Sequence, residues 1–226
     1  MAVPERAAPA SRIRARLAAE AGAWSHPILH FDKRGRGPGP AQRDILSRVK
    51  ERTGFHLVVQ DDVQFGDAVL FKVDHILRNL PEDCYGAAFY APRNAKVAEV
   101  YRKGGHLIRT STALWGQAIA HRVSEIPAFV EFYETRLEPG YRSSDRSLCL
   151  YLHTARRYLY VVVPGLFQHD LSKPSTLGTG AKAFGVPRNS PAYEPGFNPE
   201  GVDWIEEAAR AERFEIVPPK KGLLPP

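Results

Sequence analysis

Apolar positions along the chain recur in two ways: at four-residue spacing, which marks helices, and in short runs, which mark strands. Ile13, Leu17 and Ala21 follow the first, predicting a helix from about Ser11, a candidate cap, to Ala21, with Gly22 as its stop. Ile45, Leu46 and Val49 predict a second helix from about Ala41 to Thr53, ended by Gly54. Met1 to Val3, Pro27 to Phe31 and Phe55 to Gln60 read as strands around these helices. The run His56-Leu57-Val58-Val59 is continuous, as expected of a strand covered on both faces. Alternation of this kind predicts an α/β fold with a mostly parallel central sheet flanked by crossover helices.

The pattern continues with a helix over Asp67 to Leu80, a strand over Tyr85 to Tyr90 and a helix over Asn94 to Arg102. Positions 106 to 121 hold one or two strands, interrupted by Leu114-Trp115-Gly116-Gln117. A helix over Ser124 to Arg136, another from near Ser144 and a strand over Tyr158 to Val163 follow. Beyond Ser172 the chain is rich in Gly and Pro, with a short helical stretch near Trp204 to Ala211.

A length of 226 residues suits one α/β domain. Within it we distinguish a first part (1–63), a second part (64–182) and a Pro/Gly-rich extension (183–226). Cys84 and Cys149 form no C-x-x-C pair, which fits a reducing, cytoplasmic setting. The longest apolar run, Tyr158 to Phe167, is broken by Pro164 and Gly165 and falls short of the roughly 20 residues of a membrane span. The oligomeric state is left open.

Charge changes the picture more than composition does. The formal net charge is +6, and residues 1 to 60 hold eleven Lys and Arg against five Asp and Glu, so the whole excess lies in this first quarter. Such asymmetry points to an anionic partner there, a phosphorylated donor or a nucleic acid, or else to a solvated basic helix face.

Four groups of residues carry candidate chemistry. Gln60-Asp61-Asp62 sits at the carboxyl end of a strand, where ligands bind in open α/β sheets. Leu114-Trp115-Gly116-Gln117 is a glycine-containing loop, Ser143-Ser144-Asp145 opens a helix, and Pro164-Gly165-Leu166-Phe167-Gln168-His169 follows a late strand. Each has a plain structural reading as well: a capping or loop-solvating acid pair, a helix start, a satisfied histidine.

In this order the four groups resemble the GT-A class of glycosyltransferases, whose fold is Rossmann-like, and most closely bacterial and phage members near the family 2 and family 25 groups. The acid pair is similar to the family's D-x-D, the Gly116 loop to the segment bordering sugar and acceptor, Asp145 to the final acid of x-E-D, and His169 to a late metal-binding histidine. Gln60 stands in the first carboxylate position of D-x-D, and serines precede Asp145, so both motifs depart from the pattern. The resemblance implies a nucleotide-sugar donor, UDP-sugar above all, and a divalent Mn or Mg ion held by Asp62, Asp61 and His169, since oxygen ligands suit hard cations. It implies Asp145 as the catalytic base if the transfer inverts configuration, inversion or retention being left open, with nucleotide binding in 1–63, the sugar and acceptor side in 64–182, and a bacterial cell or phage-infected host as the setting. Pro4, Glu5, Arg6 and Asp32 would cradle base, ribose or phosphate, Trp115, Gly116 and Gln117 would border the sugar, and Lys173 would close over the diphosphate beside Ser172 and Ser175.

The acceptor is a hydroxyl on a carbohydrate, lipid-linked sugar or protein, or a 5-hydroxymethylpyrimidine in DNA, which Arg12, Arg14, Arg16, Lys33, Arg34 and Arg36 could track through its phosphates. Two other classes compete with this reading. A nucleotidyltransferase would need a basic glycine-rich signature near the first strand, which Pro4-Glu5-Arg6-Ala7 matches poorly. A non-catalytic nucleic-acid-binding protein would leave the acid pair and His169 unexplained.

Overall fold

The computed structural model describes residues 6–22, 24, 27–32, 35–112, 116–139, 141, 143–170, 172 and 189–214. It is an α/β fold in which helices flank a mixed five-stranded sheet, with a second, two-stranded ribbon beside it. The first half supplies α1 (Ala7–Ala19), α2 (Pro38–Leu46), β1 (Phe55–Val59), β2 (Val63–Phe65), α3 (Val69–Arg78), β3 (Gly86–Ala88) and α4 (Ala95–Arg102). The second supplies β4 (Leu107–Thr110), β5 (Ala118–Arg122), α5 (Ile126–Arg136), α6 (Ser144–Thr154), β6 (Leu159–Val162), β7 (Phe167–His169) and α7 (Trp204–Arg210).

The sheet runs β1-β5-β3-β6-β4, and β2 pairs with β7 apart from it. Side chains alternate across each strand, so every strand feeds two cores. Tyr160 and Val162 of β6 join Val73, Ile76, Phe89, Phe167 and Trp204 on one face. Leu159 and Val161 join Phe129, Leu148 and Leu152 on the other. α3 buries Val69, Val73, Ile76 and Leu77 at helical spacing against the first core. The middle strand β3 is Gly-Ala-Ala because its neighbour lies very close: a Cβ at Gly86 would stand 2.0 Å from the Ala120 carbonyl oxygen.

Several expectations need correction. The sheet is mixed rather than mostly parallel, since among the described strands only β3 and β6 run parallel. β1 is an edge strand of the described sheet and only partly buried, so its unbroken apolar run does not signal cover on both faces. Pro27 to His30 forms no strand, and Phe31 makes only an isolated bridge; Pro27 has no N–H to give a ladder, and Ile28 is 89% exposed. The strand expected at Met1 to Val3 lies outside the described residues. α1 begins four residues before Ser11, which is therefore inside the helix and not its cap. α2 begins at Pro38, where a missing N–H is harmless, and stops at Leu46, short of Thr53. From Asp67 onward each predicted element is present within a few residues of its expected bounds.

Candidate functional site

The site grows from the chain reversal between β1 and β2. β1 leads into Gln60, Asp61 and Asp62, and β2 returns alongside β7 with Val63 facing His169 and Phe65 facing Phe167. The Asp170 N–H donates to the Asp62 carbonyl at 2.7 Å, which carries the ribbon one residue further. This pairing sets His169 beside Asp62, with Nε2 3.3 Å from Oδ2. The approach is close but off the line of a hydrogen bond.

Arg6, at the start of α1, enters the same space. Its Nη1 lies 3.3 Å from Asp61 Oδ1 and 3.1 Å from Asp62 Oδ2, and all three side chains are almost fully enclosed. Burial raises the Asp62 carboxyl, but His169 and Arg6 together outweigh it and hold the group below its ordinary value. At Asp61 burial wins: the carboxyl is raised, Arg6 offsetting part of the rise and Asp62 adding to it. Asp61 Oδ2, Asp62 Oδ1 and both ring nitrogens of His169 are buried with no hydrogen-bond partner among the described residues. Buried polar atoms left in this state carry a desolvation cost that a ligand can relieve.

The carboxylate oxygens are of the kind that hold a hard cation, whereas the imidazole nitrogens suit a softer one. The arrangement differs from the expectation in one point. Asp61 turns to Arg6, and among the described residues no three His, Cys, Asp or Glu side chains form a metal-holding group. A guanidinium stands where the resemblance puts the cation's charge.

The other two motifs reach the same place. The Gln60 N–H donates to the Gln117 carbonyl at 2.8 Å, joining the acid loop to the segment that enters β5. The Gly116 N–H donates to Asp145 Oδ1 at 2.9 Å, and the Ser144 hydroxyl donates to the same oxygen at 3.3 Å. Gly116 is needed for this approach: an added Cβ would stand 2.7 Å from Asp145 Oδ1 and 3.8 Å from Gln60 Nε2. Asp145 lies in the first turn of α6, where the helix dipole favours a carboxylate, while Ser143 caps the helix by accepting from the Arg146 N–H. Gln117 is buried, and its Oε1 has no hydrogen-bond partner among the described residues. A cleft of about 490 Å³ runs from α1 along the open edge of β1 to Gln60 and Asp61, lined by Ile13, Trp24, Leu57 and Val59. Its size is that of a small-molecule site.

Other expected residues lie elsewhere. Both Asp32 carboxylate oxygens accept backbone N–H groups, from Arg36 at 3.2 Å and Gly37 at 2.7 Å, so this acid shapes its own loop. Pro4, Glu5, Trp115, Lys173 and Ser175 lie outside the described residues, as do Lys33 and Arg34. Ser172 donates to Asp170 from both its N–H and its hydroxyl. Three of the arginines expected to track DNA are engaged within the chain, while Arg12 is exposed on α1. Arg14 donates to the Pro27 carbonyl, Arg16 packs on Phe65 and pairs with Asp67, and Arg36 pairs with Asp44.

Sequence reasoning placed Arg6 near the donor but missed its ion pairs with the two acids. A basic residue facing two carboxylates across the first strand end is a signal only once the fold is known. Among the described residues no helix is long and apolar enough to cross a membrane. No family model, curated protein or solved structure matches this chain.

Proposed function

We propose that the chain is a glycosyltransferase that binds a nucleotide-sugar, UDP-sugar by preference, at the Asp61–Asp62–His169 cluster and passes the sugar to an acceptor hydroxyl. The observation that carries this reading is the approach of His169 to Asp62 from a distant part of the chain, with buried donor atoms around them still unpartnered. The chemistry supplied by a divalent cation there would be stabilisation of the charge that gathers on the leaving diphosphate as the glycosidic bond breaks. Asp62 and His169 would hold the cation, and Arg6 would turn from the acids to the phosphates. The cleft along β1 leads to Asp61 and offers apolar walls to a nucleoside.

On the acceptor side, the Gly116 N–H and Ser144 hydroxyl fix one oxygen of Asp145. In an inverting transfer the acceptor oxygen attacks the anomeric carbon, its proton passes to Asp145, and the bonding pair of the broken C–O bond leaves with the diphosphate. The engagement of Arg14, Arg16 and Arg36 within the chain favours a small or glycan acceptor over a DNA duplex.

A thermal-shift panel of UDP-, GDP- and TDP-sugars, each with and without Mn, tests the reading, because a ligand that prefers the folded state raises the unfolding midpoint. A UDP-sugar should raise it most, and only with the metal. If none of the donors moves the midpoint, the reading falls.

A further inference from the structure

Away from the acid cluster, a second cavity of about 480 Å³ lies between β4, the end of α6 and the segment after α7. Arg109, His153, Arg156, Arg157 and Arg213 line it together with Ser111 and Tyr158, and none of the described residues lining it is acidic. Two backbone features gather this charge. Arg109 and Arg213 are bridge partners in parallel, a placement that sets two like charges side by side. Arg156 is at φ 54°, just past the end of α6, where the N–H of Arg157 donates back to the Leu152 carbonyl. That left-handed position closes a helix and favours glycine, yet an arginine occupies it. Arg157 pairs with Glu125 at 2.8 Å, which lies outside the cavity lining. Arg109 packs its guanidinium over the Tyr158 ring, 5.2 Å from the centroid, which orients it in the wall of the cavity.

We propose that this cavity is a binding site for a small soluble anion carrying two or more phosphoryl charges. Guanidinium forks match phosphate oxygens in pairs, and four of them line this one cavity with His153 beside them. The volume and the convergence of the arginines on one cavity fit a compact ligand, whereas a nucleic-acid strand calls for a track of charge along its backbone. The proposal is independent of the glycosyltransferase reading and uses none of its residues.

Calorimetric titration of the full-length chain with inorganic pyrophosphate, in chelator so that metal-dependent binding is absent, tests it. Arg213 is exposed, so Arg213→Glu should fold normally and weaken binding about tenfold or more. Arg156→Gly should separate stability from binding: the thermal midpoint rises as the left-handed position is relieved, while pyrophosphate affinity falls. Arg102→Ala, on the exposed side of α4, should bind as the parent does. On the unaltered protein, pyrophosphate should protect Arg156 and Arg213 from an arginine-specific reagent, read by peptide mass spectrometry, and leave Arg102 reactive. Absence of pyrophosphate binding overturns the proposal, as does binding that both Arg156→Gly and Arg213→Glu leave intact. Much tighter, Arg213-dependent binding of a twelve-nucleotide single strand would overturn the small-ligand assignment in favour of a polynucleotide.

Discussion

Two buried histidines sit on strands of this molecule and meet opposite fates. His121, in the middle of the sheet on β5, has Nδ1 2.7 Å from the Tyr85 hydroxyl and Nε2 3.5 Å from the Gln42 amide nitrogen, with Phe129 beside its ring. Burial, with a smaller contribution from His56, pushes it down to about 3, so it stays neutral under ordinary conditions. His169, on β7, faces a carboxylate, and neither ring nitrogen makes a hydrogen bond among the described residues. The first cluster is closed and serves the fold. The second is enclosed to a similar degree but unfinished, and that difference, more than burial or residue type, separates a site from a core.

The largest effect expected from disturbing the unfinished cluster and its surroundings is on chemistry. Asp145→Asn keeps the shape that the Gly116 N–H and Ser144 hydroxyl recognise but removes the proton acceptor, so turnover should fall roughly 100- to 10,000-fold with donor binding retained. Turnover within a few-fold of the parent would remove Asp145 from the mechanism. Asp62→Asn comes next: the Mn-dependent response to a UDP-sugar should weaken about 100-fold, measured by titration calorimetry, since a ligand should cost at least as much as an outer-shell partner. The unfolding free energy of that variant, from urea denaturation, should change far less than its ligand response does.

Disturbing the closed cluster should do the reverse. Tyr85→Phe deletes the hydroxyl beside His121 and should cost about 1–3 kcal/mol of stability by urea denaturation, with the donor response unchanged. The smallest effect is on pH dependence. Because His121 is held neutral in the folded state, the unfolded chain binds the extra proton below its ordinary value of 6.5, and stability is lost as pH falls from there toward 3. His121→Gln should flatten this acid limb by up to ~1 kcal/mol per pH unit between pH 6 and 4.5. That interval lies above the region where Asp62, whose carboxyl is lowered, loses its own contribution. An acid limb of unchanged slope would mean that His121 is not held neutral.

Asp62, His169, Gly116 and Asp145 stood out in the sequence through their order and their likeness to a family's motifs, whereas Gly and Asp alone are also what turns and helix starts use. Arg6 was read as a contact to a donor and not as the partner of two acids, since that pairing depends on how α1 crosses the end of β1. The edge position of β1 was hidden because an apolar run looks the same whether a second strand or a helix and a loop cover it. The basic cavity escaped for a different reason. Beyond residue 60 the chain has twenty charges of each sign, so Arg109, Arg156, Arg157 and Arg213 vanish into a neutral sum until folding sorts them to one side.

The pairing of β2 with β7 has a consequence for how this chain tolerates changes in length. Asp62 stands in the turn just before β2 and reaches His169 while Val63 lies opposite that histidine. A one-residue slip of β7 against β2 would turn the His169 ring to the other face of the ribbon and away from Asp62, however well the rest of the protein folded. Growth or trimming in the loops of the hundred or so positions between them leaves that alignment alone, so drift in this lineage should collect in the interval and spare its two ends.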